Sequence, residues 1–278
     1  MENEPEQSIR RTAQQAELSY KTTSTIVRHD LNLWPYKVQV QQQIKEVDVT
    51  RRFEFANLML EKIDLGIINI NNIWFSDESH FHLNGYVNKQ NWRHWGTENP
   101  HLAIATPAHP KRITVWCGMT SEVIIGPIFI DGNVTGEKYL ELLERDFYPK
   151  IRHRRLVQGY CYQQDGTRPH RTQDVLESLN TAFRSHFIAL DCGKVIDHGL
   201  EWPPYSPDIN PCDFYLWGHL KDRVYRTSPR TLDDLKKAIT DEVMAIESQV
   251  LQRVIANFEK RLRDLIASNG GHFENLIH

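Results

Sequence analysis

The chain has 278 residues, 40% of them hydrophobic and 25% charged, with a formal net charge of −3. This is the composition of a soluble globular protein with one large core and room for a small appendage; it excludes a uniformly basic nucleic-acid binder but not one that relies on local patches. No apolar run reaches the roughly 18 residues that span a membrane, the acidic start Met1–Glu6 is no signal peptide, and Cys117, Cys161, Cys192 and Cys212 form no CxxC pair, which argues against a zinc knuckle or a disulfide framework.

Residues 8–33 read as two short helices broken near Leu18-Ser19-Tyr20, with Ala13, Ala16, Leu18, Ile26, Val27 and Leu31 as a small shared core. From Arg10 to Lys45 six basic residues (Arg10, Arg11, Lys21, Arg28, Lys37, Lys45) stand against two acids (Glu17, Asp30). A helix-turn-helix on DNA has this arrangement, because phosphate contacts hold the register while the second helix reads bases; a plain helical scaffold has it too. Trp34-Pro35-Tyr36 breaks the pattern and reads as a linker. A charged amphipathic helix is predicted from Val47 to Lys62, with Phe53, Phe55, Leu58 and Leu60 among its apolar residues. The expected organisation is therefore a small helical unit at 1–33, helix-turn-helix or scaffold, linker and helix at 34–68, and a larger domain at 69–278.

IWFSDESHFHL (73–83) alternates like a strand, and Asn84-Gly85 offers a hairpin turn into YVNKQNWRHW. KRITVWCGM and EVIIGPIFI form a further strand region, Lys138–Phe147 a helix, GYCYQQD a short strand, and Arg171–Phe183 a helix. A strand is predicted near Lys194–Ile196, followed by a Pro-rich loop and a helix from about Cys212. Two more helices close the chain, the first opened by the capping-box pattern Thr231-x-x-Asp234. This order suits an α/β fold, a mixed sheet flanked by helices, of which the ribonuclease H-like fold is one compatible form.

Three acids stand out. Asp77 sits inside the apolar strand Ile73–Glu78, where a carboxylate is costly unless paired or bound to metal. Asp165 ends a strand and precedes Gly166, which is expected to allow a sharp turn. Asp213 follows the Pro-rich stretch WPPYSPDINPC and falls in the first turn of a helix, where the helix dipole favours an acid. Each alone has a plainer reading: Asp77 paired with Arg93 or Arg112, Asp165 a turn residue, Asp213 a helix-start acid. Together they suit two hard cations that share carboxylate oxygens, as in two-metal phosphodiester cleavage.

The segments SDESHFHLNGYVNKQNWRHWG around Asp77, QQDGTRPH around Asp165 and WPPYSPDINPCDFYLWG around Asp213, with SNGGHF near the C-terminus, resemble the mariner branch of the DDE/D transposases over nearly the whole chain. The resemblance implies a ribonuclease H-like fold with Asp77, Asp165 and Asp213 as catalytic triad and metal ligands, holding two Mg²⁺ (or Mn²⁺) ions. Glu78 accompanies the first aspartate without belonging to the triad. The implied activity is DNA transposition: metal-dependent cleavage at transposon ends by in-line attack of water, then strand transfer and integration by attack of a DNA 3′-hydroxyl on target DNA. The implied partners are double-stranded DNA (terminal inverted repeats and target) and a second copy in a homodimer, with no membrane, and the implied location is the nucleus.

The chain departs from that pattern in three places. It begins at what resembles the second of the family's two helix-turn-helix units, and Glu17 stands where the turn of that unit often has Gly. Between Asp165 and Asp213 lie 47 residues (213 − 165 − 1), more than the family's usual mid-thirties, with the excess expected in HFIALDCGKVIDHGLEW. Gly166-Thr167-Arg168 replaces the common Asn-Ala-Arg. Asp208, in the Ser-Pro-Asp loop, is the rival third ligand.

Candidate DNA contacts are Arg10, Arg11, Lys21, Arg28, Lys37, Arg154 and Arg155 (in the basic run Lys150–Arg155), Arg168 and His170; the last two serve either DNA or the order of the Asp165 loop. His80 and His82 share a strand face but lack a second ligand pair for zinc. The hairpin aromatics Trp92 and Trp95 are expected in the core. Two other function classes fit less of the sequence: a catalytically idle, truncated or domesticated DNA-binding relic, and an unrelated hydrolase using a pair of carboxylates, for instance on glycosides.

Overall fold

The computed structural model describes residues 8–33, 43–83 and 111–274, and the chain divides into two compact units, 1–43 and 44–278. Lys37, the Trp34–Tyr36 linker, the Asn84-Gly85 turn, Arg93, Trp92 and Trp95 lie outside the described residues.

In the first unit, α1 (Ile9–Gln15) and α2 (Tyr20–Thr25) each start on a serine whose hydroxyl accepts a backbone N–H, Ser8 from Arg11 and Ser19 from Thr22. Such caps satisfy donors that a helix start leaves unpaired. Glu17, in the turn between them, has φ of 53°, the left-handed region that favours glycine. Of the expected core, Ala13 and Val27 are buried, while Ala16, Leu18 and Leu31 are exposed. Two short helices, the second running on through a π-helical stretch to Asp30, present too little surface to cover them.

The second unit is built on a six-stranded sheet in the order β3-β2-β1-β4-β5-β6. Its first element, α3 (Glu46–Asp64), buries Asp48, Arg52, Phe55, Ala56, Met59 and Leu60, a stripe at helical spacing that packs against α10 (Ser248–Ala267). The helix grouped with the linker in the sequence reading is thus part of this unit's core. β1 (Ile73–His82) pairs antiparallel with β2 (Arg112–Met119), and β2 with β3 (Ile124–Ile130). On its other side β1 runs parallel to β4 (Cys161–Gln163), followed by β5 (Phe187–Ala189) and β6 (Leu200–Glu201), also parallel. Between β3 and β4, α4 (Gly136–Glu141) continues through a π-helical stretch into α5 (Tyr148–His153). α6 (Gln173–Phe183) links β4 to β5.

The expected strand near Lys194–Ile196 is instead the short helix α7 (Cys192–Val195), and β5 and β6 flank it. The reason is local: Asp191 turns the chain with φ of 61°, and the Glu201 carboxylate accepts the backbone N–H groups of Asp191 and Gly193, both at 2.8 Å. This β5–α7–β6 insertion absorbs the long spacing between the second and third acids. α8 (Trp217–Val224), α9 (Leu232–Met244, with the Thr231/Asp234 capping box formed) and α10 complete the unit.

Side chains alternate across the sheet, so it has two apolar layers. Ile73, Phe75 and Phe81 of β1 pack with residues of α3, α8, α9 and α10; Trp74 packs with residues of α4, α5 and α6. A mixed sheet between two helical layers is the class expected from the element order.

Candidate active site

Asp77 lies on the odd-numbered face of β1, toward α8 and α10, and is 7% exposed. Asp165 follows β4, whose Gln163 pairs with Phe75 of β1, so the parallel register sets Asp77, midway along β1, beside Asp165, just past the end of β4, on one face. Asp213 reaches the same place from the helical side. It lies in the π-helical turn Cys212–Leu216, whose extra residue widens the turn before α8 begins. Its backbone N–H bonds the Asn210 carbonyl at 3.0 Å. The structure therefore brings together the three acids singled out by sequence.

Each carboxylate is held differently. Asp77 Oδ2 accepts a buried hydrogen bond from Trp217 Nε1 at 2.6 Å, not an ion pair with Arg112, which is exposed at the far end of β2. Burial, then the charges of Asp213, Glu78 and Asp165, hold the Asp77 pKa well above the ordinary carboxylate value. Asp213 is open to solvent on one side, yet the protein crowded round its carboxyl, and then the Asp165 charge, push its pKa up to about 7. Burial also works to raise Asp165, but there it is outweighed by His170, with help from Thr167, and the net shift is downward.

Glu78 points to the opposite face from Asp77 and completes the support of Asp165. His170 is buried with Nδ1 at 2.6 Å from Asp165 Oδ1 and Nε2 at 3.2 Å from Glu78 Oε1. The first contact is an ion pair by its closeness, although its angle is not that of a well-aligned hydrogen bond. Burial alone would lower the His170 pKa, but Glu78 and Asp165 outweigh it and raise it to about 10. The Tyr139 ring lies 3.9 Å from the imidazole, centroid to centroid. Tyr139 Oη donates to Gln164 Oε1 (3.0 Å), whose amide donates to the His170 carbonyl (2.8 Å). Of its two candidate roles, DNA contact or loop order, the burial of His170 fits the second.

Gly166 does not use the left-handed conformation open to glycine, because its φ is not positive. A Cβ there would sit 2.5 Å from Leu190 Cδ2, so the glycine gives room to the residue that enters the insertion.

Asp208 is excluded as a ligand by its partner. The fully buried Arg52 of α3 grips it with two bonds of 2.8 and 2.5 Å and also donates to the Tyr205 carbonyl, Ser206 Oγ and the Gly270 carbonyl. Gly270 has φ of 82°, and a Cβ there would meet the Val49 carbonyl oxygen at 2.1 Å. Arg261 adds a 2.6 Å bond to the Asp208 carbonyl and stacks over Phe214 at 4.1 Å. The SNGGHF segment thus closes on α3 and on the Pro-rich loop.

Of the candidate DNA contacts, Arg10, Arg11, Lys21, Arg28, Arg154, Arg155 and Arg168 are exposed. Lys150–Arg155 leads into the start of β4, the opposite end of the sheet from the acids, so the run is not beside them. Sequence reasoning missed Trp217, Arg52 and Lys221, a half-buried cation one turn beyond Trp217 whose charge acts on Asp77 and Asp213. The spacing of 213, 217 and 221 was the available signal for two of them.

Among the described residues no group of three or more Asp, Glu, His or Cys side chains is close enough to form a ready-made metal site, His80 and His82 included. The donor set nevertheless fits a hard divalent cation. It is all carboxylate oxygen; the charges of Asp213 and Asp165 raise the Asp77 pKa and that of Asp165 raises Asp213, a repulsion that a cation would relieve. Gln163, on the same face beneath the acids, is buried with neither amide atom bonded.

The sequence model of the DDE superfamily endonuclease family matches residues 72–236, which include all three acids. The transposable element Tc3 transposase of Caenorhabditis elegans is 27% identical over 263 residues, covering 89% of this chain and 75% of that protein. Among solved structures, the Mos1 transposase paired-end complex with left transposon end superposes with a TM-score of 0.76 at 18% identity, over 98% of this chain and 77% of that one. The mariner Mos1 paired end complex with Mg gives 0.71 at 18% identity, over 98% of this chain and 77% of that one.

Proposed function

The chain belongs to the DDE superfamily endonucleases, and from that premise we propose that it is a transposase of the Tc1/mariner type that cuts DNA at transposon ends and joins the freed ends to target DNA. The observation that carries the reading is the convergence of Asp77, Asp165 and Asp213 on one face of the sheet, where β4 ends beside the middle of β1. Divalent metal use accords with the existence of Mos1 mariner paired end complexes with Mn and with Mg. In our reading Asp77, Asp165 and Asp213 would hold two Mg²⁺ or Mn²⁺ ions, whose chemistry when bound would be activation of the attacking oxygen and stabilisation of the leaving oxygen of a phosphodiester.

The protein's own residues supply position and charge. Trp217 fixes one oxygen of Asp77, and His170, braced by Glu78, fixes Asp165. The Arg52–Asp208 clamp sets the loop from which Asp213 projects. The exposed Arg10, Arg11, Lys21 and Arg28 of the first unit suit the DNA backbone, as does Arg168 on the Asp165 loop. Arg154 and Arg155, at the far end of the sheet, suit flanking DNA rather than the scissile phosphate. The reading includes a homodimer that pairs two transposon ends, and action in the nucleus.

The test is Mn²⁺-dependent nicking of supercoiled plasmid and of inverted-repeat duplex by the full chain. Asp77→Asn, Asp165→Asn and Asp213→Asn are each expected to abolish it, as is EDTA. Cleavage retained by any one variant removes that residue from the triad, and cleavage that survives EDTA overturns the metal reading.

A further inference from the structure

Resting on that metal reading of the site, we propose that Trp217 is a positioning residue that restricts Asp77 to offering a single oxygen to the cation. Its indole Nε1 donates to Asp77 Oδ2 at 2.6 Å, closer than the usual N–H···O bond. Both partners are nearly sealed from solvent, Trp217 at 5% and Asp77 at 7% exposure, so water does not compete for that oxygen. An indole N–H is a donor only. Unlike an amide, hydroxyl or imidazole it cannot reverse its role, so it fixes which carboxylate oxygen is taken.

The need of a core tryptophan for some partner does not account for this contact. Trp116 Nε1 is buried with no partner, and Trp74 Nε1 is satisfied by the Leu156 carbonyl. Trp217 alone of these three is aimed at a carboxylate of the site. It is placed there by the segment that delivers Asp213: the π-helical turn Cys212–Leu216 ends where α8 begins with Trp217. One piece of chain thus supplies both the third acid and the group that orients the first. Phe81, two strand positions on from Ser79 on the same face, meets the indole edge-on at 6.3 Å and fixes its plane.

The consequence is selectivity. Mg²⁺ demands near-octahedral geometry and takes few protein oxygens, whereas Ca²⁺ accepts bidentate carboxylates and larger ligand counts. A carboxylate with one oxygen already occupied favours the smaller ion.

The experiment is Mn²⁺ binding to the full chain, followed by electron paramagnetic resonance of the free ion, with Mg²⁺ and Ca²⁺ as competitors, in wild type, Trp217→Phe and Asp77→Asn. Phenylalanine keeps the ring and deletes the donor. Trp217→Phe is expected to weaken Mn²⁺ binding by about 10–100-fold, the usual loss when a ligand's orienting partner is removed, and to move the Ca²⁺-to-Mg²⁺ affinity ratio toward Ca²⁺ by roughly tenfold. A purely structural role would lower all three affinities together, and that result, or no change, overturns the proposal. A second measurement needs no variant at position 217 to fold. In ¹⁵N-tryptophan-labelled wild type, the indole N–H signal displaced by Asp77→Asn is expected to stay protected from solvent exchange when Mg²⁺ is added. Loss of protection on adding Mg²⁺ means that the indole releases Asp77 and sinks the idea. Failure of the wild type to bind Mn²⁺ overturns the metal reading itself, whereas tight binding that is indifferent to Trp217→Phe overturns this inference alone.

Discussion

Two loops deliver an aspartate to the same place, and they are held by opposite means. In the loop after β4 the cation touches the delivered acid itself: His170 lies against Asp165 and is backed by Glu78. In the Pro-rich loop the cation grips a different acid: Arg52 closes on Asp208, five positions before Asp213. The electrostatic result follows from the geometry, with Asp165 held below the ordinary carboxylate pKa and Asp213 pushed up to about 7. A loop can therefore be fixed without neutralising the group it carries. Of the two carboxylates, the one without a cation in direct contact has more to gain from a metal ion.

The Arg52 clamp offers the hardest way to break that comparison. Arg52→Met leaves Asp208 charged, buried and unpaired, and is expected to destabilise the chain by about 3–5 kcal/mol, the usual cost of removing one partner of a buried pair. Urea denaturation in EDTA measures it. Arg52→Met with Asp208→Leu removes both charges and should recover most of that loss, because the desolvation penalty disappears with them. A double variant no more stable than the single one would show that Arg52's bonds to the Tyr205 and Gly270 carbonyls, not the ion pair, hold the loop.

This clamp also marks the limit of what the sequence made legible. Asp77 was readable because a carboxylate in an apolar strand needs a partner, and Asp165 and Asp213 because each ends a recognisable segment beside a turn or a helix start. The capping box at Thr231 was readable because it is wholly local. Arg52 was overlooked although it occupies the same buried stripe as Phe55, Ala56 and Met59, where a cation demands a buried partner. That partner lies 156 positions away, a separation that no local pattern encodes. Likewise β5 and α7 were misread because Glu201, ten residues beyond Asp191, supplies the bonds that turn the chain there. Local chemistry was visible; the long-range partners that decide between a ligand and a clamp were not.

His170→Gln attacks the other loop. It removes the cation from between Glu78 and Asp165 and is expected to cost about 1–3 kcal/mol, the penalty for leaving buried groups unsatisfied. The pH dependence gives the sign. The His170 pKa is raised from 6.5 to about 10 in the folded protein, so the folded state holds the proton more tightly than the unfolded chain does. Its stabilisation is complete below the unfolded value and is lost as the pH climbs through the folded one. In EDTA, the stability difference between wild type and His170→Gln should therefore shrink as the pH rises from 6.5 to 10. A difference that stays constant across that window would assign His170 a packing role only.

A smaller effect is expected at the point where this loop leans on the insertion. Gly166→Ala places a methyl against Leu190 and should cost about 1–2 kcal/mol, as overpacking does when a side-chain tip can give way. Leu190→Ala in the same chain makes room for the methyl, so the two substitutions should be less than additive in thermal denaturation. Full additivity would mean that the glycine serves some purpose other than space.

The weakest link between the loop and the insertion is Arg171 with Asp191, at 2.8 Å. Lys194 does most to hold the Asp191 pKa below the ordinary value; burial opposes it, and Arg171 adds to the lowering. Both members of the Arg171 pair are partly exposed, so solvent screens the charges, and Asp191→Asn is expected to cost about 0.5 kcal/mol. Because the folded pKa is depressed, this contribution is present above pH 3.8 and lost as the pH falls through the folded value. The informative readout is local: hydrogen exchange of the Asp191 and Gly193 amides, which bond Glu201. If the Asp191 side chain matters only as a surface charge, those amides stay protected in Asp191→Asn. If they open, the insertion depends on that carboxylate, and the Asp165 loop then rests on a surface ion pair as well as on buried His170.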